Sequence, residues 1–204
     1  MKYIKVFENF DEIDFKDIRN LKTNEYTSDF KNVIEILERD CKPFLDEMKS
    51  NKIEPIFRSA ERIKLDEKGM IKKLCRTDRR PVSTDVSVSN QLDQLFLDKF
   101  GVKLRSNGVF TSKQKELLYG NPYLFFPIGN YKYYWSPSIK DLYATLNLNY
   151  NKYYGKSLEL EKLIDTYQDN DLKAAGYQEI TFVCNEYYLI DYLYLNEYIE
   201  YLNE

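Results

Sequence analysis

Histidine is absent from all 204 residues. Its absence removes serine–histidine–aspartate and cysteine–histidine nucleophiles, imidazole proton shuttles and most zinc sites. Cysteine is scarce: Cys41, Cys75 and Cys184 are far apart, odd in number and form no CxxC pair. That excludes a disulfide framework and leaves reduced thiols in a cytosol-like setting as the expectation. No apolar run approaches a membrane span, and Met1-Lys2-Tyr3-Ile4-Lys5-Val6-Phe7-Glu8 is too charged for the core of a secretory signal. Carboxylate-pair motifs, Gly-rich phosphate loops, metal clusters, internal repeats and low-complexity tracts are also missing. Thr77-Asp78 and Ser83-Thr84-Asp85 read as turns rather than metal loops.

What remains is a chain with 43% hydrophobic residues, as expected of a soluble globular protein, and a formal net charge of −3. That charge argues against nucleic-acid binding over the whole surface but permits a local basic patch. Tyrosine is unusually common, with 19 residues. Each combines a large apolar face with a polar tip, suited to packing and, at a site, to stacking on nicotinamide or adenine.

Apolar residues Phe30, Val33, Ile34, Leu37, Cys41, Leu45 and Met48 recur at helical spacing. The pattern predicts a helix capped by Ser28 or Asp29 and kinked or split by Pro43. Ile53 to Arg58 reads as a short strand, followed by a cation-rich stretch with Arg62, Lys64, Lys68, Lys72, Lys73, Arg76, Arg79 and Arg80. That stretch is either a solvated loop face or a patch for phosphates or an anionic target. Leu92, Leu95, Phe96 and Phe100 mark a helix stopped by Gly101. Thr111-Ser112-Lys113-Gln114 fits a capping box for a helix over 112–119. Phe125 to Gly129 reads as strand and turn, Ser136-Pro137 as the start of a helix reaching about Leu146, and 158–175 as a helix ended by Gly176. Ile180–Val183 and Tyr187–Ile190 are expected strands around Cys184-Asn185, and the tail from Asp191 an expected tyrosine-rich helix.

Three segments carry the chemistry. Pro55-Ile56-Phe57-Arg58-Ser59 ends an apolar run in arginine. Gly108-Val109-Phe110-Thr111-Ser112, followed by Tyr119-Gly120, supplies a hydroxyl pair. Gly176-Tyr177-Gln178-Glu179-Ile180-Thr181-Phe182-Val183 brings a glutamate to the head of a strand. In order and spread, these resemble the arginine–serine–glutamate class of mono-ADP-ribosyltransferases. The missing histidine excludes the histidine–tyrosine–glutamate triad of the poly-ADP-ribose polymerase branch.

The resemblance implies an α+β fold: an ADP-ribosyltransferase-like split mixed β-sandwich with flanking helices. Residues 51–204 would form that domain, and residues 1–50 an N-terminal helical region or leader. It also implies that NAD is the substrate, bound in a cleft between two small sheets. Glu179 would hydrogen-bond the 2-hydroxyl of the nicotinamide ribose and stabilise the oxocarbenium-like transition state, as 2-OH contacts do in glycosidases. Arg58 would clamp phosphate or ribose, as a planar fork suits phosphate oxygens, with Ser59 beside it; Arg105 and Arg62 are alternatives. Thr111 or Ser112 would support Glu179, and Phe110 and Tyr119 would line the nicotinamide pocket. Glu186, in Asn185-Glu186-Tyr187-Tyr188, is the rival glutamate.

Two positions depart from the family pattern. Tyr177 stands two residues before Glu179, where many members carry glutamate or glutamine, with Gln178 adjacent; these residues would face the acceptor, which loses its usual arginine-acceptor marker. The hydroxyl motif is Phe-Thr-Ser rather than Ser-Thr-Ser. The acceptor is therefore left as a host protein or a nucleic acid, with no metal and no membrane partner expected. Met1 to Phe10 resembles leaders of capsid-packaged proteins of large tailed phages, and Ile36-Leu37-Glu38 resembles their maturation cleavage sites; the other reading is an amphipathic N-terminus. Asp78-Arg79-Arg80-Pro81, Arg105-Ser106 and Trp135-Ser136-Pro137 resemble strings in uncharacterised phage proteins. The expected location is the host cytoplasm, with a virion as the second. A non-catalytic phage structural or host-defence-blocking protein on the same fold is the alternative function, and a nucleic-acid binder using residues 62–80 a third.

Overall fold

Thr27 opens the first helix. Its hydroxyl accepts a hydrogen bond from the Phe30 N–H at 3.3 Å and caps α1 (Ser28–Asp40). The cap falls one residue ahead of Ser28 because a cap oxygen reaches the N–H two or three residues on, and Ser28 and Asp29 already lie in the first turn. Pro43 divides the segment as its sequence predicts: α2 (Lys42–Asn51) restarts with the proline in its first turn, where a missing N–H costs little. The computed structural model describes residues 27–61, 63–77, 79, 84–115, 120–148 and 156–204. The leader-like stretch from Met1 to Phe10, Arg62, Arg80 and Tyr119 lie outside these residues.

The architecture is α+β. One sheet joins β1 (Phe57–Ala60), β4 (Asn121–Pro127), β7 (Glu186–Asp191) and β2 (Met70–Leu74) in that order; the other joins β3 (Val109–Thr111), β6 (Ile180–Cys184) and β5 (Tyr131–Trp135). Each of these pairings is antiparallel, which corrects the expected mixed sandwich. The physical reason lies in the connections. The short links from β4 to β5 and from β6 to β7 carry the chain into the other sheet, leaving no crossover to a parallel neighbour.

The sheets meet in two ways. Phe57 and Ser112 exchange backbone hydrogen bonds of 2.8 and 2.9 Å, joining the start of β1 to the end of β3. Phe125 of β4 and Phe182 of β6 pack with ring centroids 5.0 Å apart. Phe44 of α2 lies edge-on to Phe126, Phe182 and Tyr131 at 6.0, 5.9 and 5.6 Å. The apolar faces of α1 and α2 thus belong to the same core as both sheets.

A second core covers the far face of the three-stranded sheet. Tyr134 of β5 turns there while its neighbours Tyr133 and Trp135 turn to the first core, as strand alternation requires. It packs with residues of α3 (Val86–Phe100), α4 (Leu104–Asn107), α5 (Leu142–Leu148) and α6 (Ser157–Ile164). Gly101, at φ +74°, ends α3 in the left-handed conformation, as its sequence predicts. A short 3₁₀ turn (Tyr192–Tyr194) and α7 (Leu195–Asn203) form the tyrosine-rich tail.

Three expectations change. The helix predicted from Ser136-Pro137 begins only at Leu142, because Asp141 accepts from the Ala144 N–H at 2.7 Å and caps it there. The helix predicted over 158–175 stops at Ile164; the chain then extends, and Gln168 exchanges backbone hydrogen bonds with Trp135. Thr111 is a strand residue rather than a helix cap.

Candidate active site

The site is built where the two sheets touch. Arg58 is half-buried on β1, and its Nη1 donates to the Phe110 carbonyl of β3 at 3.2 Å. Its guanidinium also stands over the Tyr187 ring, 5.7 Å from the centroid. Residues 52 positions apart are thereby tied across the junction of the sheets.

Phe110 gathers two more arginines. The guanidinium carbon of Arg79 lies 4.3 Å from its ring centroid and that of Arg105 4.7 Å. Cation–π contact holds such groups without consuming their N–H donors. Arg105 is positioned by Asp93, a buried residue of α3. Asp93 accepts from the Arg105 N–H at 2.7 Å, the Ser106 N–H at 3.2 Å and the Ser106 hydroxyl, and so fixes α4. The Ser106 carbonyl in turn accepts from the Arg79 N–H at 3.3 Å. Gly108 permits the close passage from α4 into β3, because a Cβ there would meet Leu104 O and Thr181 Cγ2, each at 2.3 Å.

Glu179 stands immediately before β6, its N–H donating to the Lys140 carbonyl at 2.7 Å. Burial raises its carboxyl from 4.5 to about 7; Arg105 and Arg79 oppose the rise and Asp141 adds to it. Thr111 fixes the strand start beside it, donating its buried hydroxyl to the Ile180 carbonyl at 2.8 Å. Burial lowers Arg79 to about 10, aided by repulsion from Arg58 and Arg105 and opposed by Glu179. Tyr167 is buried next to this group; burial and the Glu179 charge push its phenol up. Arg79 Nη1 and Arg105 Nε are buried and find no hydrogen-bond partner among the described residues. A carboxyl on the edge of ionisation thus lies within electrostatic reach of Arg105 and Arg79, an arrangement suited to an anionic ligand that develops positive charge beside the carboxylate.

The other predicted residues fall around this centre. Ser112 is buried in the bridge to Phe57 and accepts from the Gln114 N–H at 3.0 Å. Ser59 is half-buried in β1, paired with Pro122. Gln178 donates from Nε2 to the Pro137 carbonyl at 3.4 Å, leaving a buried Oε1 without a partner among the described residues. Tyr177 is 59% exposed. Glu186 is held elsewhere, in an ion pair of 2.7 Å with Lys72 on β2. Tyr119 lies outside the described residues.

Asp93, Asp141, Tyr167 and Lys113 are site neighbours without a motif, whereas Arg79 belongs to the cation-rich stretch expected as a phosphate patch. Arg79 and Arg105 stand within strings singled out in the sequence, Asp78-Arg79-Arg80-Pro81 and Arg105-Ser106, so a signal for both existed. Lys113 carried none. It is buried, donates from Nζ to the Lys173 carbonyl at 2.9 Å, and so secures the segment leading to Glu179; burial lowers its ammonium to about 8.

Among the described residues no helix is long and apolar enough to cross a membrane, and no cluster of three or more His, Cys, Asp or Glu is placed to hold a metal ion. Comparison with protein-family models, curated proteins and solved structures finds no match.

Proposed function

We propose that the chain is an NAD-dependent mono-ADP-ribosyltransferase on an ADP-ribosyltransferase-like split sandwich, encoded by a tailed phage and directed at a host macromolecule. One observation carries the reading: the arginine, hydroxyl and glutamate segments, distant in sequence, converge at the junction of the two sheets. Arg58 bonds to Phe110, and the adjacent Thr111 bonds to Ile180, which follows Glu179.

In this reading the guanidinium of Arg58 holds the diphosphate of NAD, since a planar fork matches phosphate oxygens. Thr111 keeps Glu179 at the strand head. The ionised Glu179 carboxylate accepts a hydrogen bond from the 2-hydroxyl of the nicotinamide ribose. That bond strengthens as the C1–nitrogen bond breaks, its electron pair leaving with nicotinamide and positive charge growing on the ribose. The acceptor nucleophile then bonds to C1 and releases its proton to solvent; water in that role gives NAD hydrolysis.

The test is incubation of wild type and Glu179→Gln with labelled NAD and a bacterial lysate, reading free nicotinamide and labelled macromolecules. Turnover should fall by about 10²–10³-fold in the variant, the scale of removing one electrostatic stabiliser. Unchanged turnover in a folded Glu179→Gln protein sinks the assignment. No nicotinamide release from either protein favours the non-catalytic binding alternative.

A further inference from the structure

We infer that Arg79, Arg105, Phe110 and Tyr177 form an acceptor site for single-stranded nucleic acid beside Glu179. This rests on the ADP-ribosyltransferase reading and names its acceptor class.

The charge count comes first. Arg58, Arg105 and Arg76 each act on Arg79, and Glu179 is the acid that opposes them. Arg58, Arg79 and Arg105 are half-buried, and repulsion among them is relieved when an anion joins them. The diphosphate of NAD answers Arg58, whose Nη1 is already directed by the Phe110 carbonyl. Arg79 and Arg105 lie on the Phe110 ring with Nη1 and Nε buried and unpartnered among the described residues. Both side chains are only half-buried, so guanidinium N–H groups other than the buried Arg79 Nη1 and Arg105 Nε can meet a further phosphate next to the reacting carbon.

The surroundings select a nucleic acid. Tyr177 is 59% exposed two residues from Glu179, a free aromatic face on which a base can stack. Edge strand β2 leads towards Arg79 and brings Lys73, which register places opposite Tyr187, the residue beneath Arg58. A stacking platform, two guanidiniums and the strand-borne Lys73 are the parts of a single-strand groove. A single strand is required because a base inside a duplex cannot stack on Tyr177 and present its edge to the ribose. A ring nitrogen or amino group of that base forms the new bond to C1, nicotinamide leaves with the electron pair of the broken bond, and the base's proton passes to solvent.

The experiment uses the full chain and a fluorescein-labelled single-stranded DNA or RNA of about 12 nucleotides, followed by anisotropy across a salt series. The Arg79→Gln/Arg105→Gln pair should weaken binding at least about tenfold and flatten the slope of log affinity against log salt by about 1.4, at 0.7 per phosphate contact. Tyr177→Ala, at an exposed position, should weaken it about tenfold through lost stacking. Lys42→Gln, distant on α2, should change neither. The same oligonucleotides are then incubated with labelled NAD. Oligonucleotide labelled by wild type and not by Glu179→Gln supports both readings. Oligonucleotide bound through Arg79, Arg105 and Tyr177 without nicotinamide release removes the transferase reading and the acceptor role with it, leaving a groove that only binds. Label on lysate protein with no oligonucleotide binding overturns the acceptor inference and leaves the transferase standing. Equal binding by wild type and both variants also overturns it.

Discussion

Two glutamates at opposite ends of the three-stranded sheet make a controlled comparison. Glu47 lies in an open pocket of about 480 Å³ with Pro43, Gly129, Tyr131, Tyr133 and Asp169. Its carboxylate accepts from the Tyr131 hydroxyl and, at 3.1 Å, from the Tyr133 hydroxyl. Burial and the Glu47 hydrogen bond push the Tyr131 phenol up. Tyr131 pairs with Cys184, whereas Trp135 pairs with Ile180 beside Glu179, so the strand's length separates the two sites. Glu47 lines an open concavity, and each of its carboxylate oxygens already accepts from a phenol. Glu179 lies within electrostatic reach of Arg105 and Arg79, whose Nε and Nη1 find no partner among the described residues. Unmet hydrogen-bonding capacity distinguishes the second, since buried polar groups are normally satisfied.

The sharpest way to break this comparison is to neutralise each acid. Glu179→Gln should lose about 10²–10³-fold in turnover, while Glu47→Gln should stay within about twofold of wild type, because no charge develops near it. Equal losses would mean that both carboxyls act through the stability of the shared sheet.

A second way is to remove the anchor of the arginines. Asp93→Ala deletes the acceptor for two N–H groups and a hydroxyl in a buried setting. Stability should drop by about 3 kcal/mol in urea denaturation. Oligonucleotide affinity should fall even where the fold persists, because α4 no longer aims Arg105. Ser106→Ala, which removes only the hydroxyl contact, should cost about 1 kcal/mol and keep affinity.

The third is pH. The folded Glu179 carboxyl titrates at about 7 against an ordinary 4.5, so the folded state holds the proton more tightly than the unfolded chain. Its stabilising contribution is full below pH about 4.5 and is lost as pH rises through about 7. Glu179→Gln should therefore match wild type in stability near pH about 4 and exceed it by about 2–3 kcal/mol near pH about 8. Turnover should run the other way in wild type, rising through pH about 7 as the carboxylate forms. A pH-independent difference in stability would show that Glu179 is an ordinary solvated acid.

The same contrast explains what the sequence could reveal. Pro43 splitting α1 from α2, Gly101 ending α3 and the strands around Cys184-Asn185 were legible because each rests on local chemistry: a missing N–H, a left-handed cap, a β-rich run between polar breaks. Strand β2 was not, because Met70-Ile71-Lys72-Lys73-Leu74 is an edge strand whose lysines read as a solvated loop. Thr111 carries a helix-cap pattern, but its backbone pairs with Ile180, 69 residues away, as the last residue of β3. Arg58 and Glu179 could be read from their motifs. Arg79 could not be joined to them, because what unites them is the Phe110 ring and the Asp93–Ser106 chain of hydrogen bonds, both products of tertiary packing.

The smallest expected effect is also the most discriminating control. Glu47→Gln keeps an oxygen for one tyrosine hydroxyl but replaces the other acceptor with an amide donor, so one of the two hydroxyl bonds must be lost or rearranged. Hydrogen bonds to a charged acceptor are each worth roughly 1.5–3 kcal/mol, but this site is open to water, which can replace the lost partner. The net cost should be about 1 kcal/mol, read as a shift of the urea midpoint at constant slope. Oligonucleotide affinity and its salt slope should not move, since the altered charge stands at the far end of β5 from Arg79 and Arg105. A change in that slope would mean that the polyanion runs the length of the sheet, and that the pocket at Glu47 belongs to the same groove as Glu179.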